Sequence, residues 1–413
     1  DGMIGEVKIF QGVLTAEEFA AEQALLVDKW LVPVAPTADT DGDGLFDSVE
    51  TNTGIYVSET DTGTDPNKAD TDGDGISDGD EVNNGSDPND SNDPINDGLA
   101  DLYVSTTGDD TTGTGSQEAP YATIQKAIDA AVEGDAILVA DGTYNEKLLI
   151  DKANITLKSV NGPSYTIIDG EAGDTVVRIA SSATNAIVQG FRITGGTGSP
   201  SSSSYGFDYY GGGVNCTADA TLENCIINGN GSGVPKSSSG TFGGGVRNAG
   251  CTLIVRNCLI FDNFAWACGG GTFTENGTII IEQSTICYNK SIYNWSWNGT
   301  KGGVGLAWSG EAIVTNSILW SNDGSQIGAF GSIYSEGTKA QITFSDIQGG
   351  FTANDIRDIS YGAGNISSDP IFVNPSADDY SLSVGSPCID AGDPASLPDA
   401  DNTVVDMGFR YSL

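Results

Sequence analysis

Histidine is absent from the sequence, methionine occurs twice, and Lys and Arg together number 17 in 413 residues. Without histidine, the usual general base, Ser-His-Asp triads and most zinc or iron sites are excluded. The few cations face 57 Asp and Glu, a formal charge of -40. That excludes nucleic acid and anionic lipid as partners, since both need a cationic surface. It also disfavours a polyanionic sugar unless metal ions bridge the carboxylates. No apolar run approaches the roughly 20 residues that cross a bilayer, so membrane insertion is not expected. No signal peptide is visible at the start, where residue 1 is Asp. Cysteine is scarce and odd in number at seven, without a CxxC spacing for metal or redox work. What the chain has in excess is acid and glycine, the latter 56 residues. With 38% hydrophobic residues it reads as globular but turn-rich, and long enough for two or three units.

The acid is concentrated. Nineteen of the 57 acidic residues lie between Asp39 and Asp101, against the single base Lys68. Asp39, Asp41, Asp43, Gly44, Asp47 and Glu50 occupy positions 1, 3, 5, 6, 9 and 12 of a loop. Asp70, Asp72, Asp74, Gly75, Asp78 and Glu81 repeat them 31 residues later. A hard cation such as calcium takes six to eight oxygens at about 2.4 Å, and this spacing wraps a short loop around one ion. Glycine at position 6 permits the sharp turn. The backbone carbonyls of Leu45 and Ile76 would fill a vertex, and Glu50 and Glu81 would close the shell. Two or more calcium ions are therefore expected.

The approach to the second loop, TGTDPNKA, contains Pro66 and no helical periodicity, and GTDPN (63–67) recurs as GSDPN (85–89). Residues 37 to 95 resemble the thrombospondin type 3 calcium repeats of extracellular proteins. The resemblance implies a string of ions clamping an extended spacer rather than a sensor that opens a groove.

The first 36 residues differ. Glu6 to Ile9 alternates like a strand, Thr15 with Glu18 makes a capping box, and Phe19, Leu26 and Trp30 share a helix stripe. The phrase DGMIGEVKIFQGVLTAEE resembles the C-terminal end of a laminin-G-like sandwich, which implies further chain upstream. This segment would either dock on the rest of the chain or insert its strand into a neighbouring molecule.

From Asp101 onward, short apolar runs alternate with glycine. ATIQKAIDAAV (122–132) reads as one amphipathic helix, followed by strand-like AILVA (136–140), ITLKS (155–159) and VVRIA (176–180). A repeat then emerges: GGGVNCTADATLENCIINGN (211–230), GGGVRNAGCTLIVRNCLIFDN (243–263), GGGTFTENGTIIIEQSTICYN (269–289) and GGVGLAWSGEAIVTNSILWSN (302–322). In this register Asn224, Asn257, Gln283 and Asn316 coincide, as do Ile227, Ile260, Ile286 and Leu319. Coils stacked about 4.8 Å apart would turn the first set into an amide ladder and the second into an interior aliphatic ladder. About nine coils of roughly 25 to 30 residues fit between 136 and 385. The helix at 122–132 would cap the open N-terminal edge.

The expected fold is therefore mainly β: a solenoid over 101–413 that resembles the right-handed parallel β-helix repeat proteins, preceded by a calcium-binding irregular spacer (37–100) and a short strand-helix segment (1–36). The phrases EAPYATIQKAIDAAVEGDAILVADGTYNEKLLI, TNSILWSN, FSDIQGG, SSDPIFVNP and SPCIDAGD resemble those of a pectate-lyase-like branch of bacterial surface proteins. That resemblance implies an extracellular or cell-surface location and says little about chemistry.

Lyases on this fold need a Lys or Arg base with calcium to neutralise the substrate acid. Arg247 is the best placed of Arg178, Arg192, Arg247 and Arg256, because the GGGV turn puts it on the outer face beside Asn215 and Phe273. No carboxylate pair recurs in one register. The loops preceding the glycine turns carry Tyr209, Tyr210, Phe242, Trp266, Trp295 and Trp297, with Tyr205, Phe207, Phe264 and Tyr293. Three readings of these aromatics stand: loop packing, a sugar-stacking wall, or a protein interface. Cys225 and Cys258 share a register and should pack as thiols. Cys216 with Cys251, or Cys268 with Cys287, could bridge coils in an oxidising compartment. The composite reading is a binding or structural role, in carbohydrate adhesion or in assembly with other copies or surface proteins. A polysaccharide lyase is the alternative.

Overall fold

The structure is a computed structural model. It describes residues 39–56, 61–72, 77–79, 82, 88–89, 100–203, 206–231, 241–291, 302–330, 336–350, 356, 358–399 and 403–410. The segment expected at 1–36 lies outside these residues, as do Asp74, Ile76, Glu81, Trp295 and Trp297. The chain divides into two compact units, Asp1–Leu99 and Ala100–Leu413.

In the larger unit, each coil contributes one short strand to each of three parallel sheets. One coil runs Val246–Ala249, Thr252–Arg256 and Leu259–Phe261. The next runs Thr272–Glu275, Thr278–Glu282 and Thr285–Cys287. Strand Thr252–Arg256 shows why. Its alternation buries Leu253 and Val255 completely and leaves Thr252, Ile254 and Arg256 half-exposed. An inward aliphatic side chain of this kind contributes about 1.5–3 kcal/mol by leaving water. The strands stack into sheets of ten, eight and seven, each in parallel register with the coil before and after. This is the right-handed parallel β-helix that the resemblance implied, with the hand that crossovers between parallel strands of one sheet take.

The aliphatic ladder is present as read. Ile227 pairs with Ile260, Ile260 with Ile286 and Ile286 with Leu319, all fully buried. The amide ladder differs from the expectation. Asn224, Asn257, Gln283 and Asn316 have positive φ, from 44° to 52°, and form the corner between the second and third strands. Asn257 Nδ2 does donate to Asn224 Oδ1 at 2.7 Å, but Asn316 Oδ1 accepts from Asp393 N at 2.7 Å instead. The continuous ladder stands at the end of the third strand. Asn230, Asn263, Asn289 and Asn322 are buried and joined amide to amide at 3.1, 3.0 and 3.0 Å, and Asn322 donates to Gln326 Oε1 at 2.7 Å. Each of these asparagines also donates to backbone carbonyls, so the corner's polar groups are satisfied inside the solenoid.

Glycine makes the turn that follows. Gly243 has φ +67°, and a Cβ on Gly244 would lie 2.4 Å from the Phe264 carbonyl oxygen and 2.6 Å from that of Gly270. No side chain fits between adjacent coils there.

Helix α1, Ile124–Ala130, covers the N-terminal end of the solenoid. Thr123 caps it, its side chain accepting from Lys126 N, and the Glu146 carboxylate accepts from Ile124 N and Gln125 N. Ile124, Ala127 and Ile128 are fully buried in the coil core.

At the other end, the coils stop sooner than the expected residue 385. The ten-stranded sheet ends with Asp358–Tyr361. Residues 369–399 and 403–410 instead run back as a ribbon over the outer face of the eight-stranded sheet. Tyr380 and Phe409 pack there with Ile226, Leu259, Phe261 and Cys287, and Cys388 and Met407 with Ile318. Hydrogen bonds pin the ribbon. Arg410 N donates to Asn257 Oδ1 at 2.8 Å, Phe409 N to Thr285 Oγ1 at 2.9 Å, and Gly408 N to Asn316 O at 2.8 Å.

All seven cysteines are buried thiols. Cys216 and Cys251 Sγ stand 3.9 Å apart in adjacent coils, whereas Cys268 and Cys287 belong to different apolar clusters. Among the described residues, no helix is long and apolar enough to cross a membrane.

Candidate metal centre and ligand face

In the smaller unit, the first loop is shaped by its own carboxylates. Asp39 accepts from Gly42 N at 2.7 Å and Gly44 N at 3.2 Å, and Asp43 from Leu45 N at 2.7 Å. Gly44 has φ +99°, the turn that position 6 requires. Asp39, Asp41 and Asp43 bring carboxylate oxygens within 4.8 Å of one another. Both Asp41 oxygens are shielded from water without a hydrogen-bond partner among the described residues. Asp47, at position 9, is turned to another task. It accepts from Thr40 N at 2.8 Å and Thr40 Oγ1 at 2.7 Å, tying the loop's end to its start. Asp78, its counterpart in the second loop, does the same with Thr71, at 2.7 and 2.6 Å. Thr40 and Thr71 were not singled out from the sequence, although both loops carry Thr at position 2.

Glu50 does not join Asp39 and Asp41. Its carboxylate, with those of Asp43 and Asp78, forms a second group whose oxygens lie within 4.8 Å of one another. Glu50 is 4% exposed and Asp78 fully buried. Thr64 Oγ1 donates to Glu50 Oε1 at 3.2 Å, while Glu50 Oε2 has no hydrogen-bond partner among the described residues. The chain between the loops doubles back to permit this. Thr62 N donates to Val49 O at 2.9 Å and Asn52 N to Thr64 O at 2.8 Å, and Asn89 Nδ2 reaches Thr62 O at 2.9 Å. Gly79 N donates to Asp43 Oδ2 at 3.1 Å, and a Cβ at Gly79 would lie 2.2 Å from the Asp43 carbonyl oxygen.

Crowded acids without a counter-charge resist ionisation. Burial, then the charges of Asp43 and Asp41, pushes the Glu50 carboxyl up to about 7. Burial likewise pushes Asp78 up to about 6 against the opposing hydrogen bonds from Thr71, and Asp43 is also raised, chiefly by burial. The donors are all oxygen, the set a hard divalent cation prefers. With orphaned oxygens facing inward, these residues could hold calcium. Asp70 and Asp72 are half-buried in the second loop.

On the solenoid, Arg247 lies in register with Asn215 on one side and Phe273 on the other, as its turn implied. Its guanidinium is engaged: Nη1 donates to Asn215 Oδ1 at 3.0 Å and Nη2 pairs with Glu275 Oε1. Both side chains are largely covered, at 14% and 12% exposure. Phe242 is spent on packing, its ring 4.8 Å from that of Phe273 and 5.0 Å from that of Phe330. Trp266 is half-buried just before Cys268. Tyr209 and Tyr210 lie on strand Gly206–Tyr210, paired with Ser199–Ser203 in a small antiparallel hairpin that Thr241–Phe242 joins in parallel.

Residues 39–54 and 70–91 match the bacterial TSP3 repeat family, and residues 106–161 match a family described as a protein of unknown function (DUF1565). No curated protein matches the chain. Among solved structures, a pectate lyase, Pel9A, is similar at 15% identity over 75% of this chain and 96% of its own, with a TM-score of 0.41. A pectin methylesterase from Aspergillus niger is similar at 14% identity over 69% and 90%, TM-score 0.38. One from carrot is similar at 13% identity over 65% and 83%, TM-score 0.37. None of the three bears on the chemistry of this chain.

Proposed function

We propose that this chain is an extracellular, calcium-stabilised β-helix with a binding or structural role at a cell surface. In this reading the TSP3 loops rigidify a spacer, and the solenoid presents its loops to carbohydrate or to other copies and surface proteins. The observation that carries the non-enzymatic side is the Arg247–Glu275 pair. A lyase base must be free to approach a proton on the substrate, and this guanidinium is covered and held by a carboxylate and an amide. The packing of Phe242 against Phe273 and Phe330 supports a structural use of at least part of the aromatic set. Calcium clamping suits an extracellular setting, where modules of millimolar-range affinity stay loaded.

The test offers the calcium-loaded chain a panel of acidic and neutral glycans. Binding without product, lost in Trp266→Ala, supports adhesion. Ordered multimers by electron microscopy without glycan binding support assembly. A rise in ultraviolet absorbance from a new double bond, abolished in Arg247→Ala, overturns the proposal in favour of a lyase.

A further inference from the structure

We infer that one calcium ion is shared between the two acidic repeats, held by Asp43 and Glu50 of the first and Asp78 of the second. The inference rests on the calcium reading above and changes what that reading would build. Repeats spaced as D-x-D-x-D-G-x-x-D-x-x-E suggest two self-contained loops, each closed by its own position-12 glutamate. The structure sets Glu50 with Asp43 of its own loop and against Asp78 of the next, 28 residues along the chain.

Three observations converge on a cation between the loops. The first is the meeting of Asp43, Glu50 and Asp78 oxygens within 4.8 Å, a separation at which three oxygens can contact one ion. The second is Glu50 Oε2, an oxygen of a side chain 96% buried by its 4% exposure, without a hydrogen-bond partner among the described residues. A buried carboxylate oxygen left so costs free energy that a cation would recover. The third is Gly79, where the second loop approaches so closely that a Cβ would meet the Asp43 carbonyl oxygen at 2.2 Å. Asp43 also belongs to the Asp39–Asp41–Asp43 group, so its carboxylate would lie between two ions, one within the first loop and one between loops.

A shared ion makes calcium binding a property of the pair of repeats. The test is calorimetric titration of calcium into the metal-stripped full chain. Glu50→Gln and Asp78→Asn, though in different repeats, should each lose the same single ion, and the double variant should lose no more than either alone. Asp61→Asn, which removes an acid bonded only to Thr51 Oγ1 among the described contacts, should keep the wild-type stoichiometry. Far-ultraviolet circular dichroism verifies that the solenoid is folded in each variant. Gly79→Ala, which retains every carboxylate, should lose that ion too. If Glu50→Gln and Asp78→Asn lose different ions, so that the double variant loses two, the shared site is wrong while calcium binding stands. If the wild-type chain takes up no calcium, the calcium reading itself fails.

Discussion

Asn263 and Asn289, in successive coils, are joined by a side-chain amide hydrogen bond of 3.0 Å within the buried ladder. Asn263 also donates to the carbonyls of Ile227 and Phe261 and accepts from the backbone N–H of Asn230. Asn263→Ala would orphan that N–H and two carbonyls in a place water does not reach. A loss of about 3 kcal/mol is expected, as for unsatisfied buried polar groups. The shift of the urea midpoint measures it. Asn224→Ala, at an exterior corner, should shift the midpoint less.

Chelating calcium should loosen the spacer and spare the solenoid, because the acidic groups and the coil core belong to separate compact units. Limited proteolysis with and without a chelator should show new cuts confined to residues 37–95. Melting of the β-helix on chelation, or an unchanged spacer, would sink the idea of a structural clip.

The acids predict how pH acts. Without a cation, folded Glu50 holds its proton to about pH 7 and Asp78 to about 6, above their ordinary values of 4.5 and 3.8. The folded unit therefore binds protons more tightly than the unfolded chain. Its cation-free stability is greatest at low pH and declines as pH rises from about 4 through about 7. Calcium requires the anions, so its binding releases protons and its affinity falls as pH drops below about 7. Titrations in buffers of different ionisation enthalpy should reveal proton release at about pH 6 that fades by about pH 8. Equal affinity at both would contradict the raised values.

Glu275 and Asn215 hold Arg247 in its sheet. Arg247→Ala leaves the covered Glu275 carboxylate without its ion-pair partner and should cost about 3 kcal/mol, while Arg247→Met with Glu275→Leu should recover most of it. Thermal melts of the single and double variants decide. If the single variant melts like the wild type, the pair is not what holds this part of the sheet.

What the sequence revealed follows the range of the interactions. The Asp39-to-Glu50 and Asp70-to-Glu81 spacings are local and legible, and the repeats from Gly211 to Asn322 placed Ile227, Ile260, Ile286 and Leu319 in one stack. The buried asparagine ladder was equally visible, as the last residue of each repeat. Its role is not legible there, because only the backbone distinguishes an asparagine at an exterior αL corner, such as Asn257, from one turned into the solenoid, such as Asn263. The Glu50–Asp78 approach was not legible, since it depends on Val49 to Thr64 doubling back. Nor was the packing of Phe242, which needs Phe330 from a coil far along the chain. The ribbon of 369–399 and 403–410 carries no repeat to announce it.

That ribbon alters how the solenoid should come apart. Coils in series exchange contacts only with their neighbours, so a free end can fray one coil at a time. Here six consecutive strands of one sheet, from that of Arg192 to that of Asp346, touch the same returning strip. The last coil cannot peel away before Tyr380 and Phe409 leave their seats, and once they leave, six rungs lose their cover together. Hydrogen exchange should then divide the molecule near Arg192: gradual opening on the α1 side, and a single all-or-none event beyond it.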